Sequence, residues 1–160
     1  MIPKKSSKPS QASAGHAHPF KPRVVYARDE SSGADKSPEA ISRILIVEDD
    51  FLVASQAETA LQDAGFDVTG IAATAEEAIA LAQTSKPSLV VMDIRLAGKR
   101  DGIDTAIELF REQGIRCIFA TAHTDRQVRE RGEIASPLGW LQKPYTMRSL
   151  VEMVRNSLRE

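Results

Sequence analysis

Arg43-Ile44-Leu45-Ile46-Val47-Glu48-Asp49-Asp50 is a short β-branched apolar run that stops abruptly on three acids. Its apolar residues do not alternate with polar ones, so a strand made from them has both faces covered, as in a parallel sheet between helices. Leu89-Val90-Val91-Met92, Ile115-Arg116-Cys117-Ile118-Phe119-Ala120 and Trp140-Leu141 read similarly. Phe66-Asp67-Val68-Thr69-Gly70-Ile71 alternates in polarity, which suits a sheet edge. The intervening segments have helical period. Val53, Ala57, Ala60, Leu61 and Ala64 share one face, with Gly65 as C-cap candidate. Ala75, Ala78, Ile79 and Ala82 follow a capping box of Thr74 and Glu77. Ile103, Ala106, Ile107 and Phe110 repeat that spacing before Gly114, and Met147, Leu150, Val151, Val154 and Leu158 form a last stripe after Thr146. The fourth interval, Asp125 to Ile134, is charged almost throughout and has only Val128 and Ile134 as anchors. Five alternations of strand and helix predict an α/β domain, (βα)5, doubly wound around a five-stranded parallel sheet with helices on both faces.

The chain of 160 residues has room for about one domain. A net charge of −1 gives no electrostatic case for nucleic acid, and no apolar run is long enough for a membrane span. One cysteine allows neither an internal disulfide nor a multi-cysteine zinc site, and no apolar stretch after the early lysines resembles a cleavable signal. A cytoplasmic location is expected. Residues 1–40 carry a local charge of +3, five of the eight prolines and no leucine, which leaves −4 for residues 41–160. So few large apolar residues cannot offset the entropy of ordering, and 1–40 is expected to be a disordered basic N-terminal tail before a domain at 41–160. Phe20, Val24, Val25 and Tyr26 form its one apolar cluster, and Gly15-His16-Ala17-His18 reads as solvated.

Open parallel sheets bind ligands beyond the carboxyl ends of their strands. There the sequence sets Glu48, Asp49 and Asp50 after the first strand, Asp93 after the third, Thr121 after the fourth, and Lys143-Pro144 after the fifth. Carboxylates ~4 Å apart repel by about 4 kcal/mol at an effective dielectric of 20, so this cluster needs a cation. An all-oxygen donor set favours Mg²⁺ over a soft metal. With one lysine and one hydroxyl added, the set describes a phosphoryl-binding site. Any one of these residues alone is an ordinary cap or turn former; the ordered combination is what points to chemistry.

Ile46-Val47-Glu48-Asp49-Asp50, Val91-Met92-Asp93, Ala120-Thr121-Ala122 and Lys143-Pro144-Tyr145 together resemble the successive signatures of the response-regulator receiver domain of two-component signalling, over residues 42–160. The resemblance implies a flavodoxin-like fold with strand order 2-1-3-4-5. It implies that Asp93 accepts a phosphoryl group from a histidine kinase or histidine phosphotransfer protein. Asp49 then ligates Mg²⁺ directly and Glu48 through water, with Asp93 and the Arg95 backbone carbonyl as further ligands. Thr121 and Lys143 bind phosphoryl oxygens, Pro144 is structural, and Trp140 matches the aromatic switch position on strand five. Arg95 and His123 match positions that tune how fast water removes the phosphoryl group. The loop Leu96-Ala97-Gly98-Lys99-Arg100-Asp101-Gly102 departs from the family: it lacks the usual proline and is one residue longer.

Sixteen residues follow Pro144, so a stand-alone receiver is expected: not an enzyme beyond its own phosphorylation and dephosphorylation, and signalling through a downstream protein. Helix four, strand five and helix five are the expected contact surface, with a homodimer as one use of it. Two alternatives remain. A Mg²⁺-dependent aspartyl-phosphate phosphatase shares the carboxylates but wants a second Asp where Arg95 stands. A phosphate-independent receiver-like interaction module has no need of Asp93, Thr121 and Lys143 together. Cys117 reads as a buried small hydrophobe.

Overall fold

The computed structural model describes residues 41–122 and 124–159; the expectations for residues 1–40 and for His123 lie outside them. Strands and helices alternate as β1 (Arg43–Val47), α1 (Phe51–Asp63), β2 (Asp67–Ala72), α2 (Ala75–Ser85), β3 (Leu89–Met92), α3 (Gly102–Gln113), β4 (Cys117–Thr121), α4 (Arg126–Gly132), β5 (Gly139–Gln142) and α5 (Met147–Ser157). All pairings are parallel and the strand order is 2-1-3-4-5. Among the described residues no helix is long and apolar enough to cross a membrane.

Side-chain parity along the strands divides the core in two. Ile44, Ile46, Leu89, Val91, Ile118 and Ala120 face α1 and α5, where Ala57, Leu61, Leu150 and Val154 close the layer. Leu45, Val47, Val90, Met92, Cys117 and Phe119 face the other way, onto Ala78 and Ala82 of α2 and Ile103, Ala106 and Leu109 of α3. β3 and β4 lie inside the sheet and are buried at every position. β2, the alternating run, is an edge, with five of its six residues only partly covered or exposed. The buried face of α1 centres on Ala54, Ala57 and Leu61, a slight rotation from the face expected from Val53 and Ala60.

Caps fix where the helices start. Thr74 Oγ1 accepts the Glu77 amide at 3.2 Å, and the Glu77 carboxylate accepts the Ala73 amide at 2.8 Å, a capping box displaced by one residue. Asp50, Asp101, Asp125 and Thr146 cap α1, α3, α4 and α5 in the same manner.

Contrary to the expectation from its spacing, Ile134 does not anchor the fourth helix: it is 50 % exposed, while Gly132 and Ala135 are buried. The helix lasts only seven residues and tightens into a 3-10 turn at Glu133–Ala135. A 3-10 turn advances 120° per residue instead of 100°, which carries Ala135 inward and turns Ile134 out.

Candidate functional site at the carboxyl edge of the sheet

The β1–α1 turn, the ends of β3 and β4, and the β5–α5 turn surround an open cleft of about 310 Å³ lined by Glu48, Asp49, Asp93, Arg95, Thr121 and Lys143, among others. Hydrogen bonds along the strands set this convergence. The Asp93 amide donates to the Val47 carbonyl at 2.9 Å, which brings the end of β3 level with the end of β1. The Lys143 amide donates to the Thr121 carbonyl at 2.9 Å and does the same for β5 and β4. Other hollows are larger, but none of them gathers this set of charges.

Lys143 is the centre of the arrangement. Its Nζ donates to Glu48 Oε2 at 2.7 Å and to Asp93 Oδ2 at 2.8 Å. Glu48 and Asp93 are 6 % and 7 % exposed, so water does little to separate these charges. Burial pulls the lysine pKa down, but the bonds to Asp93 and Glu48 outweigh it and hold Lys143 above its ordinary value. Burial raises the Glu48 pKa above the ordinary carboxylate range, despite the Lys143 bond that opposes it.

The remaining oxygens have separate roles. Glu48 Oε1 accepts the Asp50 amide at 3.1 Å, and Asp93 Oδ1 accepts the Arg95 amide at 3.2 Å. Asp49 is exposed, and one oxygen each of Glu48, Asp49 and Asp93 lie within 4.8 Å of one another. Three carboxylates offering hard oxygens to one point fit a divalent cation of the Mg²⁺ type. Asp50 does not belong to that group: its Oδ1 accepts the Leu52 and Val53 amides at 2.9 and 3.2 Å as the cap of α1.

A family model for the "Response regulator receiver domain" matches residues 44–155. The chain is a member of the response regulator receiver family. Receiver domains are signalling modules of two-component systems and not classical enzymes, they bind Mg²⁺ in general, and they act through kinases or phosphotransfer proteins and downstream partners. The chain is 33 % identical over 112 residues to the transcriptional regulatory protein PdtaR of Mycobacterium tuberculosis, covering 70 % of this chain and 54 % of that protein. It is 30 % identical over 138 residues to the phyllosphere-induced regulator PhyR of Methylorubrum extorquens, covering 84 % and 51 %. The chain thus spans about half the length of the curated relatives it matches. Among solved structures, the signal receiver domain of a modulated diguanylate cyclase from Desulfovibrio desulfuricans superposes with a TM-score of 0.69 at 31 % identity, covering 75 % of this chain and 95 % of that one. A CheY-like receiver domain from Methanospirillum hungatei gives 0.70 at 26 % identity, with the same two coverages.

Within this receiver, Trp140 lies outside the carboxylate cluster. Its ring packs on Phe119 with centroids 4.6 Å apart, the Arg129 guanidinium sits 5.0 Å from the ring centroid, and Nε1 donates to Glu133 Oε1 at 3.1 Å. Thr121 is buried at the end of β4, and the Lys143–Pro144 peptide is cis. The long β3–α3 loop is tethered sideways, because the Ala97 amide donates to the Ala73 carbonyl at 3.2 Å ahead of α2. Sequence reasoning missed the roles of Asp101, Gly102, Arg131 and Glu133, all of which act across elements. Only the Asp101 cap had a visible signal, an acid just before a helical stripe.

Proposed function

We propose that the chain takes a phosphoryl group on Asp93 from the phosphohistidine of a histidine kinase or histidine phosphotransfer protein and passes the change to a downstream protein. The observation that carries this reading is Lys143, whose ammonium binds the carboxylates of both Asp93 and Glu48 beside a third acid, Asp49. In the transfer, an Asp93 oxygen forms a bond to phosphorus as the phosphorus–nitrogen bond of the donor breaks, and the imidazole leaves. Asp49, Asp93 and the Arg95 backbone carbonyl directly, and Glu48 through water, would hold a Mg²⁺ ion, which would supply positive charge against the phosphoryl oxygens.

The chain's own residues do the rest. Asp93 is held in place by the Arg95 amide and by Lys143. Lys143 stays charged and grips a phosphoryl oxygen, and the Thr121 hydroxyl approaches another. Trp140 of β5, packed between Phe119 of β4 and the end of α4, carries the change to the α4–β5–α5 surface, which binds the downstream partner or a second copy of the chain. Arg95 and His123 set the rate of hydrolysis. Phe51 and Leu52 are 74 % and 71 % exposed at the start of α1, directly after the acids, and give the phosphodonor an apolar landing beside the cleft. A cytoplasmic location goes with such a donor.

Incubation with Mg²⁺ and acetyl phosphate, read by intact mass, tests the proposal. The expected result is a gain of one phosphoryl group by the wild type and none by Asp93→Asn. No gain by the wild type overturns the reading, and an undiminished gain by Asp93→Asn moves the acceptor elsewhere.

A further inference from the structure

The phosphoacceptor touches more than its own cleft. The first residue of α3, Gly102, lies so close behind Asp93 that a Cβ on it would overlap the Asp93 carbonyl oxygen, and its amide donates to the Ile94 carbonyl at 2.8 Å. The position of the α3 N-terminus is therefore tied to the backbone that carries Asp93. That N-terminus is held from outside by α4. Arg131 Nη2 donates to Asp101 Oδ2 and to Asp104 Oδ1, both at 3.0 Å. Asp101 divides its carboxylate, with Oδ2 bound to Arg131 and Oδ1 accepting the Asp104 amide at 2.9 Å as the cap of α3. A pull on Arg131 is a pull on the cap itself. The next residue of α4, Gly132, rests against the Trp140 ring. Adjacent residues of one short helix thus face the β3–α3 side and the β5 side.

We infer that Arg131 is a positioning residue for Asp93: its ion pairs with Asp101 and Asp104 hold the α3 N-terminus against the acceptor's backbone and couple the place of α4 to the chemistry at Asp93. The functional half of this inference rests on the phosphoryl-accepting reading above. It gives the site a route to α4 along the helical layer, separate from the route along β4 and β5. Coupling between two sites is reciprocal in free energy, so a partner that grips α4 alters the phosphoryl state, and the phosphoryl state alters α4. Arg131, Asp101 and Asp104 have side chains 48 %, 34 % and 56 % exposed, so solvent weakens the link and the effect is a few-fold.

Two measurements on the full chain test it. The first is amide exchange over residues 94–105 without phosphoryl donor, in wild type, Arg131→Gln, Arg131→Lys and Arg126→Gln. Among the described residues Arg126 pairs only with Glu130, inside α4, so its variant removes an α4 charge without touching α3. Exchange about two- to fivefold faster in Arg131→Gln, recovered in part by Arg131→Lys and unchanged in Arg126→Gln, is expected. Unchanged exchange in Arg131→Gln, or equal acceleration in Arg126→Gln, overturns the inference. The second is the lifetime of the phosphoryl group after acetyl phosphate. Arg131→Gln is expected to shift it about two- to fivefold, and Asp101→Asn with Asp104→Asn equally, with no further change when all three are combined. Fully additive shifts overturn the coupling. A wild type that takes up no phosphoryl group refutes the phosphoryl reading and the coupling to it, and the exchange result then decides the positioning alone.

Discussion

Cys117 shows how a residue's neighbours decide its chemistry. It sits mid-strand in β4, 2 % exposed, and burial pushes its thiol up to about 12 from an ordinary 9.0. A thiol that stays protonated is a poor nucleophile, so the native protein is expected to resist alkylation at pH 8. The pH dependence of stability has a definite sign. Between 9.0 and about 12 the unfolded chain has lost a proton that the native strand keeps. Unfolding free energy therefore falls as pH rises through that window, by at most ~1.4 kcal/mol per unit from this group. Urea titrations at pH 8 and pH 10 are expected to show the decline, and Cys117→Ala is expected to lessen it. Equal slopes for the two proteins would remove Cys117 as its cause.

At the scale of elements, two glycines show how closely helices meet the sheet. Gly132 has an ordinary helical φ of −67°, so alanine suits its backbone and would gain up to about 1 kcal/mol of helix propensity. Its Cβ, however, would lie 2.5 Å from Cη2 of Trp140 and 3.1 Å from Cε2 of Phe119, two rings already packed against each other at a 33° tilt. Overpacking of this kind costs about 1–3 kcal/mol, so Gly132→Ala is expected to be destabilising on balance. Trp140 is the single tryptophan, and its emission should shift in the same variant. Gly102→Ala is expected to be worse, by about 3 kcal/mol or more, because the obstacle is the backbone of Asp93 and no rotamer can relieve it. A chemical denaturation series ranks the two. Gly102→Ala is also expected to impair phosphoryl uptake even where it remains folded. A Gly132→Ala protein as stable as wild type would show that the indole can move aside.

At the scale of the molecule, the sheet separates two apolar layers that share its strands. Leu61 of α1 and Leu109 of α3 lie on opposite faces and are 0 % and 1 % exposed. Each Leu→Ala change is expected to cost about 2–5 kcal/mol. Because every strand contributes to both layers, both changes should move one common transition seen by circular dichroism and by Trp140 fluorescence. A change in Leu61 that melts α1 and α5 while Trp140 keeps its native emission would show that the layers fold separately.

The sequence alone determined the class of fold, because runs such as Ile44–Val47 and Leu89–Met92 carry their period locally and a strand buried on both faces has few other homes. It also placed Glu48, Asp49, Asp93, Thr121 and Lys143 at one edge, since a parallel sheet brings all its strand ends to the same side. The contacts between these groups were beyond its reach. Lys143 and Glu48 are 95 residues apart, and only the register of β1, β3, β4 and β5 sets their 2.7 Å bond. The end of the fourth helix was likewise beyond it, since one tightened turn exchanges Ile134 for Ala135 without leaving a mark on hydrophobic spacing. Arg131 is one of several charges in the fourth interval by sequence, and only the packing of α3 brings Asp101 and Asp104 within 3.0 Å of it. Local pattern fixes what each segment becomes, because periodicity acts within a few residues; which charges meet is fixed by packing, because partners 27 to 95 residues apart have no local signal to find one another.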